Sequence, residues 1–266
     1  MSAGDAQPFH DGLAPRLAGT PLLVLLDIDG TLAPIAPRPE QAVVPAETRE
    51  TIAALARRAG VHVALVTGRA AHDGRRMVAV DRTWVIGNHG AETVSPDGVT
   101  TVDAALEPHR EALAGAARAL PAELGSVAGL VIEDKTWSLS VHYRLAEPGE
   151  VPRVRTAVDA VAQRYGLVVT SGRMVFEVRA PVKVDKGTAV LALARRLGAA
   201  APPASALMIG DDATDEDAFR VLRAHAPHAV TVRVREDPRT PTAAEFAVRD
   251  TAAVRETLAW LLRRRG

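Results

Sequence analysis

The chain has 266 residues, with 32 basic and 32 acidic side chains and a formal net charge of +0 at pH 7. That balance leaves no bulk field to draw it to nucleic acid or a membrane surface, so attraction for an anionic ligand must be local. With Cys 0, disulfides, thiolate zinc sites and a cysteine nucleophile are excluded, and no apolar run approaches the ~20 residues that span a bilayer.

In chain order, Met1 to Thr20 carries Pro8 and Pro15 and no signal-peptide apolar core, so it reads as a loosely ordered tail of a cytoplasmic protein. The run Leu22-Leu23-Val24-Leu25-Leu26 then predicts a buried strand, 22–27, ending in Asp27-Ile28-Asp29-Gly30-Thr31-Leu32. Side chains at i and i+2 of an extended chain point the same way, so Asp27 and Asp29 project together past the strand end. Carboxylates beside an apolar strand lose hydration and persist there when a cation or another partner compensates. One can attack phosphorus while the other handles the proton of the leaving oxygen; the plainer alternative is an Asp-Gly turn after a strand.

A Pro-rich loop, Ala33 to Pro45, leads to a helix with Ile52, Leu55, Ala56 and Ala59 on one face. Strand 61–66, helix 69–80 and strand 83–87 follow. Thr67-Gly68-Arg69 closes the second strand, and its hydroxyl and free backbone amides suit an anionic oxygen. After Asp97-Gly98 the pattern changes: helix 106–120, strands 130–133 and 137–143, helix 151–165, strands 167–170 and 174–178, with Ser171-Gly172-Arg173 as a hairpin turn. This α-β-β-α-β-β stretch is an inserted α+β module, 104–180, between two halves of an α/β core, 21–103 and 181–266.

The parallel pattern resumes with helix 186–197, which Lys186-Gly187 opens, strand 205–210, helix 214–223, strands near 229–234 and 245–248, and helix 251–265. Asp211-Asp212-Ala213-Thr214-Asp215-Glu216-Asp217 follows strand 205–210. A helix N-terminus would be served by two or three carboxylates; five in seven residues look like a hard-cation site. Strands alternating with helices imply right-handed crossovers and a parallel sheet, whose ligands lie outside the carboxyl ends of the strands.

The order D-I-D-G-T, V-T-G-R, D-K-G and G-D-D-A-T-D-E-D resembles the haloacid-dehalogenase superfamily of aspartate-nucleophile phosphatases. Gly87-Asn88-His89-Gly90-Ala91-Glu92, Glu133-Asp134-Lys135, Val141-His142-Tyr143-Arg144 and Glu177-Val178-Arg179-Ala180-Pro181 resemble trehalose-6-phosphate phosphatases within it, over roughly residues 20 to 250. Ala180 departs from the pattern, separating Arg179 from Pro181. The resemblance implies a Rossmann-like core carrying a mobile cap over the site. It also implies a magnesium-dependent phosphatase with Asp27 as nucleophile, Asp29 as acid and then base, and Thr67 and Lys186 on the phosphoryl oxygens; Lys183 rivals Lys186.

Magnesium is expected on Asp27, Asp211 and the backbone carbonyl of Asp29, with Asp212 and Asp215 holding its waters or orienting Lys186. Gly68, Arg69, Asn88, His89 and Glu92 from the core, and Glu133, Lys135, His142, Arg144, Glu177 and Arg179 from the cap, are the implied contacts of a sugar phosphate. Without the resemblance, the cap residues read as a solvated sheet face with cross-strand ion pairs. His62 reads as a packed strand residue, His225 and His228 as loop residues, Arg263-Arg264-Arg265 as a helix C-terminus, and Trp84, Trp137 and Trp260 as packing. A monomer is expected, with a possible functional link to the synthase that makes trehalose 6-phosphate.

The chain lacks the G-x-G-x-x-G of a dinucleotide-binding oxidoreductase, the P-loop of a kinase or NTPase, and the G-x-S-x-G of a serine hydrolase. The open alternatives are a phosphatase for sucrose or mannosylglycerate phosphate, a phosphosugar mutase, and a non-catalytic sugar-phosphate-binding regulator.

Overall fold

A computed structural model of the chain describes residues 10, 12–36, 38–172 and 174–265. They form two compact units: the chain up to Thr101 together with Val184 onward, and the insert Val102–Lys183. Among the described residues no helix is long and apolar enough to cross a membrane.

The first unit is built on β1 (Leu22–Asp27), buried at every position. Its two faces serve two separate cores, as the period of two requires. Leu22, Val24 and Leu26 lie in one cluster with Ile52, Leu55, Val254, Leu258 and Leu261. Leu23 and Leu25 lie in the other with Val190, Leu193, Phe219 and Leu222. Ile52 and Leu55 come from α1 (Ala46–Ala56). Around β1 run β2 (Val61–Val66), β3 (Thr83–Gly87), β4 (Glu92–Val94) and β5 (Thr100–Val102), and in the second half β10 (Ser205–Gly210), β11 (Val230–Val234) and β12 (Phe246–Val248). The sheet order is β12-β11-β10-β1-β2-β3-β4-β5, parallel from β12 through β3. The connecting helices of this unit are α2 (Ala71–Val78), then α5 (Lys186–Arg196), α6 (Ala213–His225) and α7 (Thr251–Arg264).

The insert holds α3 (Arg110–Leu124), α4 (Val151–Arg164) and the antiparallel strands β6 (Val131–Asp134), β7 (Ser138–His142), β8 (Val168–Gly172) and β9 (Val175–Arg179), in the order β6-β7-β9-β8. By register, Ile132, Val141 and Phe176 align on one face, as do Leu139, Val178 and Val169. The buried Leu113, Leu120, Val154, Val158 and Val161 of α3 and α4 match this apolar face. Glu133, Ser140, Glu177 and Thr170 align on the opposite face.

Several expectations are corrected. The tail read from Met1 to Thr20 is ordered packing over 12–20, where Leu13 and Leu17 are buried in the β1 core; residues 1–9 and 11 lie outside the described residues. Ser205 Oγ donates to the Arg16 carbonyl and accepts from Gly19 N–H, and Arg265 donates to the carbonyls of Leu17 and Gly19. Ala59 lies beyond the end of α1 and is exposed. α3 runs through Pro121, because burial of Leu124 beside Leu113 and Leu120 outweighs the amide that proline removes. Ser171 and Gly172 pair in the ladder with Phe176 and Val175, so the hairpin turns later than expected; Arg173 lies outside the described residues. β4 and β5 were not anticipated, being too short to show alternation.

Candidate active site

β1 lies between β2 and β10, and the chain order reverses across it. Such a switch point opens a crevice at the carboxyl ends of the strands. Asp27 ends β1 opposite Val66, the residue before Thr67, while Leu26 lies opposite Ile209, two before Asp211. Gly30 has φ +92, and a Cβ there would lie 2.1 Å from Asp211 Oδ2. Only glycine lets the turn after β1 pass so close to that carboxylate.

Lys186 opens α5, whose start is fixed by a reciprocal cap between Asp185 and Thr188. Its side chain is 1% exposed, and Nζ donates to Asp27 Oδ1 at 2.7 Å and Asp215 Oδ1 at 2.8 Å. The rival Lys183 is exposed and belongs to the insert. The acidic run divides by task. Asp211 faces Gly30. Asp212 caps α6, accepting from Thr214 and Asp215 N–H groups, with one oxygen 3.9 Å from Lys186 Nζ. Asp215 Oδ2 accepts from the amides of Asp211 (2.9 Å) and Asp212 (3.0 Å). Glu216 pairs with Arg233 at 2.8 Å, and Arg233 also donates to the Asp212 carbonyl at 2.7 Å. Asp217 pairs with Arg220 on the surface.

One buried lysine thus faces several carboxylates. Burial pushes Asp27 well above the carboxylate range; Lys186 opposes this, and the charges of Asp211 and Asp212 reinforce it. Burial, with the charges of Asp215 and Asp212, pushes Asp211 up to about 7. Burial alone would lower Lys186, but Asp212, Asp215 and Asp27 outweigh it and hold the ammonium charged. The surplus negative charge suits a divalent cation. Oxygens of Asp27, Asp211 and Asp215 lie within 4.8 Å of one another, and Asp27 Oδ2 is buried with no hydrogen-bond donor among the described residues. An oxygen-only donor set with a bare carboxylate oxygen fits a hard cation. Because both Asp215 oxygens are already engaged, Asp27 and Asp211 are the better ligands.

Asp29 does not stand bare: Arg69 Nε and Nη2 each donate to it at 2.7 Å. Thr67 Oγ1 accepts from Arg69 N–H at 3.1 Å, setting the turn that contains Gly68. A Cβ on Gly68 would lie 2.3 Å from His89 Cε1, so the imidazole packs on the backbone of this turn. Asn88 and His89 have φ 51 and 54, a conformation costly for side-chain-bearing residues. Glu92 Oε1 accepts from Asn88 Nδ2 and from the amide of Ala71, both at 2.8 Å. Of the core residues read from sequence as contacts of the sugar phosphate, Asn88 and Glu92 therefore bond one another and tie the turn to the start of α2.

On the insert, Lys135 Nζ is 3.4 Å from Glu177 Oε1 and 3.9 Å from Glu133 Oε2, and His142 Nε2 is 3.2 Å from Glu133 Oε2. Ser140 donates to Glu177 Oε1 at 2.8 Å. Glu177 is 8% exposed and its Oε2 has no hydrogen-bond partner among the described residues. Ser140, not anticipated, was detectable only from strand register. Arg179 shares the face of Glu177 by alternation, and Arg144 follows β7; both are partly exposed.

The core sheet and its inserted unit have the fold of a haloacid-dehalogenase-like hydrolase. A Bacillus subtilis hydrolase of that kind aligns with TM-score 0.58 at 17% identity over 89% of this chain and 98% of its own. The chain belongs to the trehalose-phosphatase family, whose sequence model matches residues 25–252. A trehalose-phosphate phosphatase of Mycobacterium bovis (strain BCG / Pasteur 1173P2) is 37% identical over 248 residues, 92% of this chain. An uncharacterized glycosyl hydrolase of Mycobacterium tuberculosis (strain CDC 1551 / Oshkosh) is 40% identical over 222 residues, 82% of this chain. The chain spans 62% of the first relative's length and 17% of the second's. A crystal structure of a trehalose-6-phosphate phosphatase related protein aligns with TM-score 0.78 at 27% identity, over 91% of this chain and 97% of that one.

Proposed function

We propose that the chain is a magnesium-dependent phosphatase that hydrolyses trehalose 6-phosphate to trehalose and phosphate in the cytoplasm. The observation that carries this is the buried Asp27, with one oxygen on Lys186 and the other bare. Asp27 attacks phosphorus in line, forming an aspartyl-phosphate as the bond to the sugar oxygen breaks. Asp29 gives that oxygen its proton, then takes one from the water that cleaves the aspartyl-phosphate and regenerates Asp27. Thr67, Gly68 and Lys186 hold the transferring phosphoryl oxygens. Asp27, Asp211 and the Asp29 carbonyl would hold magnesium, which would supply positive charge to offset that gathered between nucleophile and phosphate.

The sugar hydroxyls are read by Glu133, Lys135, His142, Arg144, Glu177 and Arg179, with Ser140 supporting Glu177. A buried carboxylate with an unfilled oxygen needs a donor, and a disaccharide offers many. Phosphate release across trehalose, sucrose, glucose and mannosyl phosphates tests the reading. Trehalose 6-phosphate is expected to be preferred, with Glu133→Ala losing roughly ten- to a thousandfold in kcat/KM on it and little on an aryl phosphate. Equal rates on all four sugars would overturn the substrate assignment.

The raised Asp211 carries a pH signature. A carboxyl held protonated in the fold contributes its full stability below its ordinary 3.8, and that contribution is lost as pH rises through about 7. Magnesium needs the ionised form and restores the loss. The rise in Tm on adding magnesium is therefore expected to grow from about pH 5.5 to about pH 8. A rise that is constant or shrinks with pH would count against Asp211 as a ligand.

A further inference from the structure

Asp29 has both carboxylate oxygens engaged by one guanidinium, in the parallel two-bond geometry that arginine makes with carboxylates and phosphates alike. The pair is partly withdrawn from water, the side chains being 16% and 32% exposed for Arg69 and Asp29. The backbone of Arg69 is fixed at both ends: its N–H bonds Thr67 Oγ1, and its carbonyl accepts from Asn88 N–H at 2.7 Å. The turn of Asp29 is fixed too, since Gly30 N–H donates to the Ala33 carbonyl at 2.7 Å. Exchange of partners therefore falls to the two side chains. While the pair persists, both Asp29 oxygens face Arg69, so neither is free to meet a departing sugar oxygen.

Resting on the proposed roles of Asp27 and Asp29, we infer that Arg69 is a positioning residue that holds Asp29 while the site lacks phosphate and exchanges it for the substrate's phosphoryl oxygens. The trade is chemically even. A phosphate monoester dianion offers the same two-oxygen face, and Arg69 lies in the same turn as Thr67. Once Arg69 holds phosphate, Asp29 can take up a proton from water at the site and swing to the leaving oxygen, to which it delivers that proton. It stays free after the sugar departs, because the phosphoryl group on Asp27 still occupies the guanidinium. Departure of inorganic phosphate restores the pair. The acid-base group is thus released only in the presence of a phosphoryl group.

Calorimetric titration of inorganic phosphate into the full chain in magnesium buffer tests this with four proteins: parent, Asp29→Asn, Arg69→Gln and the double variant. Asp29→Asn removes the competitor for Arg69 and is expected to tighten phosphate roughly tenfold or more, the scale of a charged hydrogen-bonded pair. In the Arg69→Gln background the same change is expected to shift affinity less than about threefold, the residue of losing one nearby negative charge. Undiminished tightening in that background, or none in the parent, overturns the exchange. The Arg69 Nε–H resonance gives a second readout: phosphate is expected to move it, in the parent, toward the position it already takes in Asp29→Asn. A resonance that phosphate leaves in place also overturns the exchange. Neither measurement depends on turnover. Survival of hydrolysis in Asp27→Asn would overturn the underlying reading of the site, independently of these results.

Discussion

Replacing Asp27 by asparagine is expected to lower phosphate release from trehalose 6-phosphate by roughly a thousandfold or more while the protein stays folded. The amide keeps the shape, and its oxygen still accepts from Lys186, but it cannot form an acyl phosphate. Stability at pH 8 is expected to be unchanged or higher. Asp27 is pushed above the carboxylate range by burial. A group with a raised folded pKa contributes fully only below its unfolded value and loses that contribution as pH rises. Steady-state assays with urea unfolding at pH 8 check both halves. Activity above a tenth of the parent would sink the covalent mechanism, and unfolding would turn Asp27 into a structural residue.

Lys186→Met is expected to remove both activity and stability. The ammonium is 1% exposed and bonded to two buried carboxylates, and breaking a buried ion cluster from one side costs about 3–5 kcal/mol. Without the lysine, burial and the neighbouring carboxylates act on Asp27 and Asp215 with no cation to oppose them, and both effects favour protonation. Their folded pKa values rise further, so the loss must be larger at pH 8 than at pH 5. Urea titrations of parent and variant at the two pH values measure it. Equal losses at both would show that methionine fails by packing alone.

The sequence reveals most where neighbouring residues do the work. β1 and its two aspartates are legible because an unbroken apolar strand and an i, i+2 pair are local patterns. Lys186 stands out over Lys183 because it begins a helical pattern within the D-K-G segment. The pairs that cross the chain are not legible. Nothing near Asp29 announces Arg69, and nothing near Glu216 announces Arg233, since both meet only when distant strands align. The bond between Asn88 and Glu92, and the one from the Ala71 amide to Glu92, were equally hidden, since they depend on the turn after β3. Leu13 and Leu17 were hidden by the prolines around them, which argue against a long helix but not against burial.

The position of β1 has a consequence for how the chain folds. Asp27 and Thr67 come together by pairing β1 with β2, which is close in sequence, through one short crossover. Bringing Asp27 beside Asp211 requires β1 to pair with β10, which lies beyond the whole insert. Loop-closure entropy grows with the chain enclosed, so this contact is the more expensive to form from an open chain. A folded insert is a far more compact tether than the same residues unfolded. The insert's own helices and hairpins, all short-range, therefore ease the closing of the central sheet. In this sense the insert eases the gathering of the like-charged Asp27 and Asp211 before any ligand arrives.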